Sequence, residues 1–343
     1  MLQPGEIRRR WRMVKSRKKG SDPGNFRIIH KVGLQKLLII LIIVILVSFF
    51  SIVSPAFRQY STLISVFDYS YYISFLAIGV TFALITGGVD LSVGTGMIAA
   101  CLFGGHFIAT NNGGAVVGIL ITIAFGLALG LANGLLVAVL ELPPFIATLG
   151  TMMVARGIAG GITVTWPTEG MAGGWVRNIF KIQILGYKFP MGIVWVVTLV
   201  IIMSIVLNKT KCGRYIKALG SNKEAARLSG VQVTKYQVTA YVFSGLFVGI
   251  GAIAYATTFQ SITSGSGGGF ELEAIAAAVI GGVSITGGAG SIVGTLLGVF
   301  VMSVLKAGLP FIGLQANWQQ IITGIILMAA VFADILKTKR GEA

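Results

Sequence analysis

The polar positions of this chain are few and clustered, and between them run long stretches in which nearly every residue is apolar. The first, Leu37 to Val47 (LLIILIIVILV), continues through SFFSIV to Pro55, giving about the twenty residues that a helix needs to cross ~30 Å of hydrocarbon. Further apolar stretches of helical length cover 65–86, 92–110, 115–140, 145–165, 190–208, 236–259, 272–286, 291–309 and 315–336. Together they predict an all-α integral membrane protein with about ten transmembrane helices. The first run follows some 36 polar and basic residues, is long, and has no clean small-x-small cleavage site after it. Those features favour a retained span over a removed signal peptide.

Composition agrees with the pattern: 55% of 343 residues are apolar and only 11% charged, far from the balance of a soluble domain. A net charge of +16 raises the question of a nucleic-acid partner, and the distribution of that charge argues against one. Of 27 Lys and Arg, 21 lie in three polar segments: eleven in residues 1–36, seven between Lys209 and Lys235, and three after Asp334. Cytoplasmic loops of membrane proteins collect Lys and Arg, so the pattern predicts a basic cytoplasmic tail at 1–36, a transmembrane domain at 37–336 with a cytoplasmic loop at 209–235, and a cytoplasmic tail at 337–343. Six crossings then separate the amino terminus from the basic loop and four separate the loop from the tail, so both termini and the loop reach one side. The basic tail reads as a topology determinant touching anionic lipid. The segment Trp166–Pro190 is expected to face outward, with Trp166, Trp175 and Tyr187 as interfacial aromatics.

Cys101, on an apolar helix, and Cys212, in the basic loop, are expected to be unpaired, and His30 and His106 supply no metal set. No cofactor is expected. Forty-seven glycines are many for a helical protein, but small residues let helices approach closely in lipid. Gly126, Gly130 and Gly134 form one such stripe, and Gly290, Gly294 and Gly298 another. Gly249, Gly251 and Ala254 match a dinucleotide fingerprint only formally, having no preceding strand or following acidic ribose contact, and read as helix packing.

Two glycine-rich segments echo each other. ITGGVDLSVGT runs from Ile85 to Thr95 and ITGGAGSIVGT from Ile285 to Thr295, agreeing at seven of eleven positions. The pairs Gly87-Gly88 and Gly287-Gly288 are expected to end or interrupt helices. They are either tight turns between spans or breaks beside a transport path, since irregular backbone at membrane depth is tolerated only where protein or a water-filled cavity satisfies it. Ionisable residues in or beside spans are scarce: Asp90, Glu141, Arg156, Glu271, Glu273 and Lys306. Each should line an aqueous path, pair, or reach an interface. Asp90 is expected to cap the helix that begins near Leu91, its carboxylate accepting backbone N–H groups. Glu141, Glu271 and Glu273 lie near expected helix ends, where solvent reaches them; Arg156 falls mid-span. The sequence holds no G-x-x-x-x-G-K-[ST], H-E-x-x-H or G-x-S-x-G, so an enzyme is poorly supported. An ion-driven secondary carrier of a small polar solute is the alternative transport reading, weakened by the scarcity of midplane ionisables.

Between the sixth and seventh spans, Glu224, Ala225, Ala226 and Arg227 begin a short amphipathic helix that Gly230 should stop, the shape of a docking element. This loop, GRYIKALGSNKEAARLSGV (Gly213–Val231), together with ITGGVDLSVGT, LPPFIATLGTMMVARG (Leu142–Gly157) and FELEAIAAAVIGGVSITGGAGSIVGTLLG (Phe270–Gly298), strongly resembles the membrane subunits of ribose-type monosaccharide ABC importers, in order from about residue 34 to 336. The resemblance implies the ABC importer permease fold, in the inner membrane of a bacterium. It implies that Glu224, Ala225, Ala226, Arg227, Leu228 and Gly230 form the coupling segment seated on a separate ATP-binding subunit, usually one chain with two fused ATPase domains. An extracytoplasmic sugar-binding protein would deliver substrate, and the permease would dimerise with itself or with a related permease. Neutral polyols ask for uncharged hydrogen-bonding groups, so the path is expected to be lined by residues such as Ser92, Thr95, Asn133 and Thr148 rather than by carboxylates. Phe145, and Asp90, Gly287 and Gly288 at the helix breaks, complete the expected path or break residues. The long basic amino terminus and the Trp166–Pro190 segment depart from the ribose permease pattern.

Overall fold

The computed structural model describes residues 23–112, 114–167, 171–184 and 187–341. Its helices are α1 (Pro23–Val53), α2 (Tyr60–Ile85), α3 (Val93–Thr110), α4 (Ala115–Ala138), α5 (Pro144–Ile158), α6 (Gly192–Lys209), α7 (Lys211–Ser221), α8 (Lys223–Leu228), α9 (Val233–Thr258), α10 (Phe270–Ile280), α11 (Ile292–Gly308) and α12 (Ala316–Gly341). Among the described residues, eight of these are long and apolar enough to cross a membrane. The stretches expected at 145–165 and 272–286 instead form the short helices α5, of 15 residues, and α10, of 11, about 22 and 16 Å long at 1.5 Å per residue.

Glycine sets both ends. Past α5 the chain turns through Gly160 and Gly161, the latter at φ +75°, and enters β1 (Thr163–Thr165). After α10, Gly282 takes φ +90°; its N–H bonds to the Val279 carbonyl (2.9 Å) and the Val283 N–H to that of Ala278 (3.0 Å), a Schellman closure that no side chain with a Cβ adopts cheaply. β1 pairs antiparallel with β4 (Ser261–Thr263), Val164 opposite Ile262, while β2 (Ile182–Ile184) and β3 (Tyr187–Phe189) form a separate ribbon. The β1–β4 ribbon brings the ends of α5 and α9 together.

The core forms around α2, whose second half is buried from Ser70 to Ile85. Around it pack α9, α10, α11 and α6. The expected glycine stripe on α4 lies against α9: a Cβ on Gly126 or Gly130 would collide with the carbonyl oxygens of Gly245 and Tyr241, and one on Gly134 would come 3.0 Å from the Val238 Cα. Gly249 packs on Ile123 of α4, within a helix. The second stripe holds in part: Gly294 and Gly298 lie against the Gly281 and Ala277 carbonyls, but Gly290 precedes α11 and sits under the Ile85 side chain.

Trp166 departs from its expected interfacial place. It is buried against Gly105, with Nε1 donating to the Cys101 carbonyl at 3.1 Å, because the β1–β4 ribbon folds it onto α3. Trp175 and Tyr187 are exposed. Cys101 and Cys212 are free thiols. No residue in the membrane-length part of α12 is fully buried, and few in that of α1 are. Ile326, Leu327 and Ala330 pack partly against the core, while Ile325, Met328 and Phe332 of α12 and Leu38, Leu41 and Ile45 of α1 turn apolar surface outward.

Candidate functional site

Asp90 is the buried charge at the first glycine break. α2 closes at Ile85 with a second Schellman pattern, Gly87 N–H to the Leu84 carbonyl (2.8 Å) and Gly88 N–H to that of Ala83 (3.1 Å), with Gly87 at φ +80°. The chain then runs non-helically to Ser92, the residue before α3. Asp90 Oδ1 accepts from the Ser92 N–H (3.0 Å), the Ser92 hydroxyl (2.6 Å) and Asn133 Nδ2 of α4 (3.3 Å); Oδ2 accepts from the Ser244 hydroxyl of α9 (2.7 Å). Asn133 Nδ2 also donates to Ser92 Oγ (2.8 Å), and Asn133 Oδ1 accepts from the Thr151 hydroxyl of α5 (2.5 Å). Thr148 of α5 donates to the Val89 carbonyl at 3.2 Å. The expected cap is not made: Ser92 is the N-cap of α3 and no side chain caps it. Asp90 instead takes the Ser92 N–H one position ahead of the helix, as part of a larger knot that ties the break to α3, α4 and α9 through neutral donors.

The second echo occupies a different structural place. α10 has already ended at Ile280, so Gly287 and Gly288 lie in the connector before α11 rather than ending a helix. The α12 carboxylate Asp334 holds that connector, accepting from the Ser284 hydroxyl (2.9 Å) and the Ile285 N–H (3.1 Å). The two echoes meet. The Gly288 N–H donates to the Ile85 carbonyl at 2.8 Å, and a Cβ on Gly287, at φ +93°, would come 2.9 Å from the Gly87 nitrogen. Thr295 and Thr81 share a buried hydroxyl contact of 3.0 Å. Thr95 is buried, and its hydroxyl has no hydrogen-bond partner among the described residues.

The basic loop folds as two short helices at the same end of the bundle. Thr210 and Asn222 cap α7 and α8, their side chains accepting from the Gly213 N–H (3.2 Å) and the Ala225 N–H (2.9 Å). Gly230, at φ +81°, closes α8 as expected, with the Val231 N–H on the Ala226 carbonyl (3.1 Å). α8 buries Ala226 and turns outward Leu228, 87% exposed, and the pair Glu224–Arg227, 3.5 Å apart. A cleft of about 470 Å³ opens between α8 and Glu141–Pro144, bounded by Lys223, Glu224, Arg227, Glu141 and Gln237. Burial pushes the Lys217 ammonium of α7 down and the Cys212 thiol up, Lys235 opposing the latter.

The remaining ionisable residues divide. Glu273 and Lys306, expected to be solvated or unassigned, form a largely buried pair at 2.9 and 3.0 Å, with the ammonium 4.8 Å from the Phe270 ring centre. Lys181 pairs with Asp68 at 2.9 Å. Arg156, expected mid-span, lies in the last turn of the shorter α5, exposed. Phe145 is exposed on the same helix, whose buried side carries Ala147, Thr148, Met152 and Ala155. Gly267 packs on Gly94 and Ile98, in the first half of α3, so the glycine-rich connector before α10 dips well down that helix.

A family model described as the permease component of a branched-chain amino acid transport system matches residues 62–331. The chain belongs to this permease family. The permease is 35% identical over 309 residues to the ribose import permease protein RbsC of Escherichia coli (strain K12), covering 88% of this chain and 93% of that protein. It is 33% identical over 323 residues to the galactose/methyl galactoside import permease protein MglC of the same strain, covering 90% and 95%. It is 30% identical to the fructose import permease protein FrcC of Rhizobium meliloti over 305 residues, covering 86% and 84%. No solved structure matches.

Of the residues expected at the path or its breaks, Asp90, Ser92, Asn133 and Thr148 come together, Gly287 and Gly288 join the break itself, and Thr95 and Phe145 stand apart. Ser244 and Thr151 complete the knot and were not singled out by sequence. Serine and threonine are ordinary in membrane helices, bonding to carbonyls of the preceding turn, so only the three-dimensional contacts of Ser244 with Asp90 and of Thr151 with Asn133 distinguish these two.

Proposed function

We propose that this permease is the membrane subunit of an ABC importer for a monosaccharide, in the inner membrane of a bacterium. Residues 37–336 form a path-bearing domain of about ten membrane-embedded helices, with both termini and the Lys209–Lys235 loop cytoplasmic. The observation that carries the reading is α8, a capped helix that displays Glu224, Arg227 and Leu228 on a basic loop in a chain whose relatives are named as sugar import permeases. The helix thus offers both apolar and charged surface to a partner, here a separate ATP-binding subunit, read as a chain with two ATPase domains. A binding protein outside delivers the sugar. ATP binding draws the ATPase domains together, the coupling helices follow, and the bundle exchanges one arrangement for another; each partner biases that equilibrium only by preferring one state.

The path runs along the outward face of α5, from Phe145 to Arg156, and past the Gly265–Gly269 connector. A guanidinium and exposed glycine backbone are costly against lipid, which supports a second permease, identical or related, closing the path there. The Asp90 knot lies behind α5 and positions it. The test is recovery of the detergent-solubilised permease from its own membranes. An ATPase subunit should accompany it, and Glu224→Lys should release that subunit and abolish ATP-driven sugar uptake while leaving the permease inserted. Uptake by the permease alone in liposomes without ATP would overturn the reading.

A further inference from the structure

The end of α7 touches both glycine breaks at once. A Cβ placed on Gly220 would collide with the Ile85 carbonyl oxygen and come within 2.5 Å of the Gly288 nitrogen. These are the two atoms that hydrogen-bond each other at 2.8 Å to tie the first break to the second. One residue on, Ser221 lies against Gly288: a Cβ there would stand 2.5 Å from Ser221 Oγ and 3.0 Å from its Cα. Then Asn222 caps α8. Three remote backbone segments therefore share one contact that admits no side chain. The α2 Schellman closure explains the geometry, because it uses the Leu84 and Ala83 carbonyls and leaves that of Ile85 for a partner from outside the helix.

Resting on the coupling role assigned to α8, we infer that Gly220 is the positioning residue through which displacement of α8 reaches the transport domain, dividing it between two connectors. One branch runs from Ile85 through Gly87 and Gly88 to the Asp90 knot and so to α3, α4, α5 and α9. The other runs from Gly288 to the Ile285 N–H and Ser284 hydroxyl held by Asp334, and so to α10, α11 and α12. Only Ser221 and Asn222 separate Gly220 from α8, too short and too well capped a link to absorb a shift. A docked coupling helix thus cannot move without moving both breaks, and backbone contacts transmit such a shift without the slack of side-chain rotation.

The test uses the assembled transporter. Gly220→Ala should leave the ATPase subunit bound and its basal hydrolysis intact, while uptake and the stimulation of hydrolysis by sugar-loaded binding protein both fall roughly tenfold or more, the rate equivalent of about 1.4 kcal/mol. Normal uptake by Gly220→Ala overturns the inference. So does loss of ATPase binding in parallel with uptake, which would make Gly220 part of docking. Hydrogen exchange on the wild-type complex covers the case in which the variant does not fold. On trapping with a non-hydrolysable ATP analogue, protection in 85–88 and 284–289 should change together with that in 220–228, and a change confined to 220–228 refutes the joint. If no ATPase subunit accompanies the wild-type permease, the coupling assignment itself fails, a result distinct from either.

Discussion

Asp90 shows how a single charge is made tolerable inside an apolar bundle. Its oxygens take four hydrogen bonds from Ser92, Asn133 and Ser244, so removing the carboxylate leaves several buried donors without an acceptor. Asp90→Leu is expected to cost on the order of 3 kcal/mol or more, and Asp90→Asn less, because the amide oxygen still accepts. Thermal unfolding in detergent reads the difference, and uptake should fall only in proportion to folded permease; a fully stable Asp90→Asn without transport would instead put Asp90 in contact with sugar. The Glu273–Lys306 pair makes a parallel case. Lys306→Met alone should destabilise by about 3–5 kcal/mol, and adding Glu273→Gln should restore much of it, since the cost lies in the orphaned charge rather than in the lost pair. Asp90 is legible in the sequence because a carboxylate amid apolar residues needs an explanation. Its donors Ser92 and Asn133 are expected near the path, but Ser244 is not, as nothing in the spacing of positions 90, 133 and 244 reveals that three helices converge on one carboxylate.

Helices show the opposite balance. The apolar runs locate nearly every element, and the α8 helix with its Gly230 stop is read correctly from a handful of residues, because capping and glycine closure are local chemistry. What hydropathy misses is where an apolar run ceases to be helical. Ala159–Thr165 and Gly281–Ile285 are as apolar as the helices before them, and only backbone conformation at Gly161 and Gly282 separates them. The ITGG echo misleads for the same reason: its SVGT and IVGT ends both open helices, while its glycine pairs occupy different places. The close approach of α4 and α9 follows from glycines on both partners, so Gly130→Leu, whose side chain would strike the Tyr241 carbonyl and Gly245, should prevent stable folding. Ala on the exposed Gly150, which faces open space within α5, should leave the unfolding midpoint unchanged or raise it. Comparable losses at both positions would mean that the α4–α9 contact does not set stability.

At the scale of the molecule, the question is whether α5 and α10 count as crossings. α5 begins beside Gly88, where a Cβ would stand 3.5 Å from Pro144 and collide with the Tyr241 hydroxyl, and it leads to β1, which pairs with the strand following α9. It therefore climbs from partway along α9 to that helix's far end. α10 begins with Glu271 against Gly94 in the first turn of α3 and leads to the connector that meets the end of α2, while the glycine-rich segment before it makes up the remaining depth. On the proposed topology each short helix, completed by non-helical chain in which Gly161, Gly265 and Gly268 stay exposed, serves as one traverse, since irregular backbone at membrane depth is tolerated where protein or a water-filled cavity satisfies it. The count decides sidedness. With ten traverses, the amino terminus and Ser229 share a side, and Met171 faces the other; were α5 not a traverse, the amino terminus and Met171 would face the same way. In a variant lacking Cys101 and Cys212, a cysteine replacing the exposed Met171 should react with an impermeant maleimide in intact cells. One replacing Ser229, or an amino-terminal cysteine tag, should react only after the membrane is opened. Reaction of the tag and the Met171 site from the same side would withdraw α5 from the count and leave the basic segments divided across the membrane, against the charge rule that predicts their common side.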